Sequence, residues 1–330
     1  MKQKKIRLAL IGCDGFSYGF LYDCTKGLPY ELVAVSDTPD NMARFCARYA
    51  VQAQYEDYRE MLAQAKPELV ISFPAEARQY AVAADCLRAG AHVFSERPIA
   101  HTLEEAEALV ALEKETGRSI VPRLNRRFTP SYRMAKEILS REEFGQPQMY
   151  LAKYHAGPYA SEKVFLWNHV SHHFDLARYL LGEIQVTAAD RVYKDEKRFG
   201  YNILFHTCDG CAGVIQTSSL QRGEYPVERV EITGNARNLM VDNLRTVEYS
   251  RPAPEKNVPE HMQLREGGDI LTWRPNSAQL NNFTFYGFET CLSLIAEALL
   301  RGETPAPGMT DTIHTLRLVQ ALEDLVLPRP

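Results

Sequence analysis

Between residues 6 and 123 the chain alternates short apolar runs with amphipathic stretches. Segments 6–11, 32–36, 69–73, 93–95 and 120–121 read as strands, and those near 40–49, 57–65, 76–89 and 103–116 as helices. Strands that are apolar almost throughout and separated by helices predict a parallel sheet covered on both faces. The pattern changes after Arg123. Helices are predicted over 131–139 and 169–181, then strands over 185–193, 202–206, 211–219, 229–233 and 246–250, a Pro-, Glu- and Gly-rich irregular loop over 251–270, and helices over 288–300 and 311–325. This second half reads as an antiparallel sheet with helices packed on it. The fold class expected is α/β, with a parallel-sheet domain over 1–123 and an α+β domain carrying a large open, mostly antiparallel sheet over 124–330.

A length of 330 residues allows two cores, and 45% hydrophobic with 24% charged residues is ordinary globular composition. The net charge of −4 gives no electrostatic footprint for nucleic acid or an anionic membrane. The apolar run 6–11 is short for a secretory h-region of about 7–15 residues and contains Arg7, and no run of about 20 apolar residues occurs. A cytoplasmic location is expected. Seven scattered cysteines fit a reducing compartment, and the lone CxxC, Cys208 and Cys211, flanks a hairpin-type Asp209-Gly210 turn with no further ligand pair behind it. No metal is expected.

The first strand runs into Gly12-Cys13-Asp14-Gly15-Phe16-Ser17-Tyr18-Gly19, which should open a helix. Strand, glycine loop and helix N-terminus are the context of a dinucleotide pyrophosphate site. A strict G-x-G-x-x-G frame puts Asp14 at the second glycine and Ser17 at the third, so Gly15 has to supply the close approach in a shifted loop; a plain strand–helix turn is the other reading. Asp37 ends the second strand, 25 residues after Gly12, near the offset of about 20 for an acid that grips ribose hydroxyls. An acid there favours NAD over NADP. Its other reading is a helix N-cap within Asp37-Thr38-Pro39-Asp40.

A second corner, Ser95-Glu96-Arg97-Pro98, follows the strand at 93–95 and faces the side of a parallel sheet where ligands bind. In the helix at 169–181, Val170, Phe174, Ala177 and Leu181 form a buried stripe, leaving His172, Asp175 and Tyr179 on another face with His172 turned to a cleft.

These residues, with Ser72-Phe73-Pro74, Leu124-Asn125-Arg126-Arg127-Phe128-Thr129-Pro130, Asn168-His169-Val170-Ser171-His172-His173-Phe174-Asp175 and Ile232-Thr233-Gly234-Asn235-Ala236, resemble the Gfo/Idh/MocA family of NAD(P)-dependent oxidoreductases along essentially the whole chain. The resemblance implies a Rossmann-type nucleotide domain and an open sheet that mediates homo-oligomers, dimers or tetramers. It also implies a carbohydrate-like small-molecule substrate. The family typically uses a Lys in Glu-Lys-Pro and an Asp and His four residues apart. Carried over, these fall on Arg97, Asn168 and His172, so two of the three differ here. The cofactor side implied comprises Gly12, Cys13, Asp14, Gly15, Phe16, Ser17, Asp37, Ser72, Phe73, Pro74, Gln79, Glu96, Arg97 and Asn125. The substrate side comprises Arg127, His155, Trp167 and His173, with Lys153 and Tyr154 nearby.

Removing a hydroxyl proton as hydride leaves carbon needs a base that titrates near neutrality, and histidine does so unaided. Arg97 stays protonated and cannot relay a proton, but can hold a carboxylate or a developing alkoxide. Asn168 can orient His172 but cannot stabilise an imidazolium as a carboxylate does. The reading is an NAD-dependent oxidoreductase acting on a sugar, cyclitol, related polyol or sugar acid. An NAD-retaining glycoside hydrolase or lyase, and a non-catalytic nucleotide or sugar sensor with an eroded site, are the alternatives.

Overall fold

The computed structural model describes residues 4–14, 22–221, 226–252, 268–275 and 282–327. The chain divides into two compact units, one of Met1–Asn125 with Gly287–Arg317 and one of Arg126–Tyr286 with Leu318–Pro330.

The first unit holds six parallel strands, β1 (Ile6–Ile11), β2 (Tyr30–Ser36), β3 (Ala53–Tyr55), β4 (Leu69–Ser72), β5 (His92–Ser95) and β6 (Ile120–Pro122), in the order β3-β2-β1-β4-β5-β6. Helices α1 (Pro39–Cys46), α2 (Tyr58–Ala65), α3 (Gln79–Arg88) and α4 (Leu103–Thr116) link them. Every residue of β4 and β5 is buried, which is why Leu69–Ile71 and Val93-Phe94 stand out in the sequence with no polar residue between their apolar ones. The three-residue β3 has no fully buried side chain and left no such signal. Strand order reverses between β1 and β4, the switch point where open parallel sheets bind ligands.

The sequence reading put everything after 123 in one second domain. Residues 287–317 instead pack into the first unit. The Tyr30 hydroxyl donates to the carbonyl of Leu292 (2.7 Å), inside the helix Phe288–Arg301. The buried Glu113 carboxylate accepts the backbone N–H groups of Ile120 (2.7 Å), Met309 (3.0 Å) and Thr310 (3.2 Å), so one acid satisfies orphan donors at the start of the helix Met309–Val326.

The second unit is built on eight strands: β7 (Met149–His155), β8 (Ile184–Asp195), β9 (Arg198–Thr207), β10 (Ala212–Ser218), β11 (Val227–Thr233), β12 (Asn238–Asp242), β13 (Thr246–Pro252) and β14 (Gly268–Trp273). Their order is β14-β13-β12-β11-β7-β10-β9-β8, antiparallel except for β7 beside β10. The sequence reading missed β7, β12 and β14. In β7 the buried Tyr150, Ala152 and Tyr154 alternate with exposed Met149, Leu151 and Lys153, and apolar residues on both faces hide the two-residue period. The loop expected over 251–270 is bounded by β13 and β14, and residues 253–267 lie outside the described residues.

Three helices matter for the site: α5 (Pro130–Leu139), α6 (Glu162–Phe165) and α7 (Ser171–Leu181), with a π-helical turn, Leu166–Val170, joining the last two. The helix is not half-exposed as its apolar stripe predicts: Ser171 to Arg178 are all buried.

Candidate functional site

In the first unit the candidate site lies at the carboxyl ends of β1, β2 and β4. Gly12 has φ +88°, and a Cβ there would sit 2.2 Å from the carbonyl oxygen of Phe73. Only glycine tolerates both. Its N–H donates to Ser36 (3.0 Å), while the Phe73 N–H donates to Ile11 (2.7 Å), tying three strand ends together. Asp37 closes the arrangement. One carboxylate oxygen accepts the Cys13 N–H (2.5 Å); the other accepts the Thr38 N–H (2.6 Å) and the Asn41 amide (3.1 Å). Helix α1 is capped by Thr38, which accepts from the Asn41 N–H with Pro39 in the first turn, so the capping role falls to Thr38 rather than Asp37. A carboxylate offers about four acceptor sites, and the described residues take three, which leaves the oxygen facing Cys13 one site for a ligand hydroxyl.

Gly12, Asp14, Asp37, Asn41, Phe73, Pro74 and Arg78 are among the residues that line a cleft of about 470 Å³ here. Cys13 is buried, and burial, with Asp37 adding to it, pushes its thiol up to about 12, so it supplies no thiolate near neutral pH. Gly15, Phe16 and Ser17 lie outside the described residues. Ser72 is fully buried at the end of β4. Gln79 is buried too, donating to the Pro74 carbonyl (3.1 Å) and accepting from Ser95 Oγ (3.3 Å), which braces the loop after β4 against the end of β5.

At the second corner the Glu96 carboxylate accepts the Arg97 N–H (2.8 Å) and takes the fork of Arg123 at 2.7–2.9 Å. Arg123 was absent from the sequence-derived site. Its signal was positional: Pro122 ends β6 in register with Ser95, and the Arg123 N–H donates to the Ser95 carbonyl (2.8 Å). The charge beside Glu96 thus comes from the neighbouring strand. The Arg97–Pro98 peptide is cis, and Asn125 is buried in the short helical turn Asn125–Phe128.

In the second unit the sheet register places Glu228, Tyr154, Thr217 and Tyr201 side by side across β11, β7, β10 and β9. All four are buried, whereas the parallel row Val230, Ala152, Ile215 and Ile203 is apolar. Such a row needs partners, and Tyr201 finds one in Glu162, whereas the Thr217 hydroxyl has none among the described residues. Arg126, 8% exposed, reaches Glu228, 4% exposed, at 2.8 and 3.3 Å and donates to the Tyr154 hydroxyl at 2.8 Å. The Tyr132 hydroxyl donates to Glu228 (2.9 Å) from α5, and Glu228 donates its own N–H to Asn243 (2.9 Å). Burial pushes the Glu228 carboxyl up, but Arg126, His173 and the hydrogen bonds from Arg126 and Tyr132 outweigh it, and the net shift is downward.

The histidine-rich helix packs on this row. His169 stacks on Tyr154 with ring centroids 4.0 Å apart and planes 5° from parallel, and its Nδ1 shares a hydrogen bond with the Tyr159 hydroxyl (2.9 Å). His173, expected on the substrate side, is fully buried 4.5 Å from the Tyr154 ring. Burial, opposed by Glu228 and reinforced by Arg126, lowers its pKa to about 4, so it is neutral near pH 7. His172 is 1% exposed rather than open to solvent. Asn168 sits one turn before it in the π-helical segment, its carbonyl accepting from Ser171 Oγ (3.3 Å).

Arg127 forks onto the buried Asp175, with Nε to Oδ2 at 2.9 Å and Nη2 to Oδ1, and its guanidinium lies 5.6 Å from the Tyr179 ring centroid. Asp175 therefore serves to anchor α7 to the start of this unit. Trp167 is 1% exposed, and its indole N–H donates to Glu323, so its polar edge is taken by a protein partner. His155 is half-buried at the end of β7, sharing a hydrogen bond with Ser218 Oγ (2.7 Å), and burial, aided by Lys153, lowers its pKa. Among the described residues no cluster of His, Cys, Asp or Glu could hold a metal, no disulfide joins the cysteines, and no helix is long and apolar enough to cross a membrane.

Comparison with known proteins adds the context. A family model for the Gfo/Idh/MocA oxidoreductases, described as an oxidoreductase family with an NAD-binding Rossmann fold, matches residues 6–123. A myo-inositol 2-dehydrogenase of Thermotoga maritima is 24% identical over 231 residues, covering 65% of this chain and 68% of that protein. An inositol 2-dehydrogenase of Salmonella typhimurium is 29% identical over 189 residues, 56% of this chain and 55% of the relative, so these matches span about half to two thirds of the relatives' length. The same fold occurs in a dehydrogenase from Chromobacterium violaceum, with a TM-score of 0.87 at 15% identity over 98% of this chain and 95% of that one. It occurs again in levoglucosan dehydrogenase in complex with NADH and levoglucosan, with a TM-score of 0.83 at 16% identity over 97% and 96% of the two chains. A parallel sheet in the order β3-β2-β1-β4-β5-β6, the Gly12–Asp37 cleft at its switch point and the antiparallel sheet that follows agree with these matches, and residues 6–123 carry the NAD-binding Rossmann fold of the Gfo/Idh/MocA oxidoreductase family.

Proposed function

We propose that the protein oxidises a secondary alcohol of a sugar, cyclitol, related polyol or sugar acid, using NAD, with His172 as the acid/base. The observation that carries this reading is the Asp37 carboxylate, fixed by Cys13, Thr38 and Asn41 at the rim of a cleft beyond the parallel strands, with one acceptor site left for a ribose hydroxyl. The cleft residues fit a dinucleotide. Among the described residues Asp14, Asp37 and Glu56 line it against one cation, Arg78, an excess of negative charge that opposes a 2′-phosphate and favours NAD over NADP.

Bound NAD supplies the hydride acceptor. The chain's own residues bind, orient and move the proton. His172 takes the hydroxyl proton. Asn168, one turn earlier, orients the imidazole, and Arg97 holds an anionic oxygen of substrate. The Arg127–Asp175 pair and the neutral His173 hold the helix that carries His172, and Trp167 in the preceding turn is tied to Glu323. His155 stays as the substrate-side candidate. Self-association fits the uncovered face of the second sheet, where Met149, Leu151 and Leu204 are 63%, 48% and 44% exposed. In sedimentation velocity the wild type should run as a dimer or tetramer and Leu151→Glu as a smaller species; identical profiles would move the interface elsewhere.

The test of function is reduction of NAD across a panel of polyols and sugar acids. His172→Ala should lower turnover by roughly 10²–10⁴-fold while leaving the NAD dissociation constant unchanged. Unaltered turnover would remove His172 from the mechanism. Glycoside cleavage without net cofactor reduction would favour transient oxidation, and nucleotide binding with no chemistry would favour a sensor.

A further inference from the structure

The cleft of the first unit has two unlike walls. Asp37, Thr38 and Asn41 form the polar one after β2; Phe73, Pro74 and Arg78 form the other after β4. Arg78 ends the short helical turn Glu76–Arg78, its N–H donating to the Ala75 carbonyl (2.8 Å). Its side chain is exposed, and its guanidinium carbon lies 5.5 Å from the centroid of the Tyr58 ring, a cation–π distance. Tyr58 is a fixed support: it is buried, its hydroxyl donates to Asp85 (2.8 Å), and Arg59 lies 5.1 Å from the same ring centroid. A planar cation anchored on an immobile ring thus lines the wall opposite the ribose-type acceptor.

We propose that Arg78 is the adenine platform of this cleft, its guanidinium backed by Tyr58 and stacking on the base of the nucleotide whose ribose Asp37 receives. The proposal rests on the dinucleotide reading above. A guanidinium offers charge and a flat π surface together; lysine keeps only the charge, and tyrosine only the plane. The competing role, an ion pair with a 2′-phosphate, needs the charge, and Asp14, Asp37 and Glu56 in the same cleft oppose it.

Titration calorimetry of NAD, ADP-ribose and NADP against the full chain separates these roles, using wild type, Arg78→Ala, Arg78→Lys and Arg78→Tyr. Stacking predicts that Ala and Lys each weaken NAD and ADP-ribose about tenfold while Tyr stays within about threefold of wild type. Retention by Lys with loss in Tyr, largest for NADP, would overturn it in favour of a phosphate contact. Equal binding by all four proteins would overturn it outright and leave the dinucleotide reading standing, whereas a wild type that binds neither NAD nor ADP-ribose would sink both. Because the side chain is exposed, the melting temperatures of the four ligand-free proteins should coincide, which separates lost stacking from lost folding.

Discussion

The two candidate regions are built at different ranges. The cleft of the first unit is organised by backbone geometry at strand ends: Asp37 reaches Cys13 across 24 residues, and the Phe73 carbonyl closes on Gly12. The polar row of the second unit is organised by side chains from distant segments, with Arg126 and Glu228 separated by 102 residues and Tyr132 and Glu228 by 96. The first kind of site is specified by residue type at a strand end. The second is specified only when the sheet assembles, and it holds charge in a core where an unpaired partner is costly.

That contrast can be broken most forcefully at Glu228. Glu228→Ala leaves Arg126 buried without its carboxylate and strips acceptors from Tyr132, so unfolding free energy in urea should fall by about 3–5 kcal/mol. A loss below about 1 kcal/mol would mean that solvent reaches Arg126 and that the row is not a sealed core. Gly12→Ala should come next. The methyl has to displace the Phe73 carbonyl at φ +88°, for a loss of roughly 2–3 kcal/mol together with loss of nucleotide affinity. Wild-type affinity in a folded Gly12→Ala protein would separate the close approach from binding.

The smallest effect is a pH slope. His173 has a folded pKa lowered to about 4 by burial, against an ordinary 6.5. The unfolded chain therefore binds the extra proton first, and stability is complete above pH 6.5 and declines as pH falls toward 4. By pH 5.5 the loss from this group is about 1 kcal/mol. Glu228, whose folded carboxyl is depressed, adds to the decline only below the ordinary carboxylate range, about pH 4.3. In His173→Phe the slope between pH 6.5 and 5 should fall by about half while the acid limb stays, because buried His92, also lowered to about 4, carries the rest, as read by urea midpoints at each pH. An unchanged slope would assign the titration to another histidine.

Legibility in the sequence followed the same divide. The parallel sheet was readable because β4 and β5 are buried on both faces, and Gly12 and Asp37 were readable because their chemistry is local to one strand end. In the second unit β7 was missed although it is central, since Met149 and Leu151 make its outer face as apolar as its inner one. The helix around His172 reads as amphipathic from its stripe of Val170, Phe174, Ala177 and Leu181, yet Asp175 and Arg178 are buried as well. Each is buried against a partner, Arg127 for the first and Glu183 for the second, and only the first of these partners lies far along the chain. Arg123 and Glu228 escaped for one reason: a charged residue declares its partner only once the strands are aligned.

The Glu113 clamp bears on how this protein can be taken apart. A fragment ending at Asn125 would lose the donors of Met309 and Thr310 from a buried carboxylate and bare the surface that Leu292, Ile295 and Ala296 cover. The nucleotide-type unit is therefore not separable by a single cut. Transplanting it into a chimaera requires two pieces, 1–125 and 287–317, rejoined by a linker that bypasses the second sheet, and limited proteolysis between them should yield a nicked species that stays associated rather than a free amino-terminal domain.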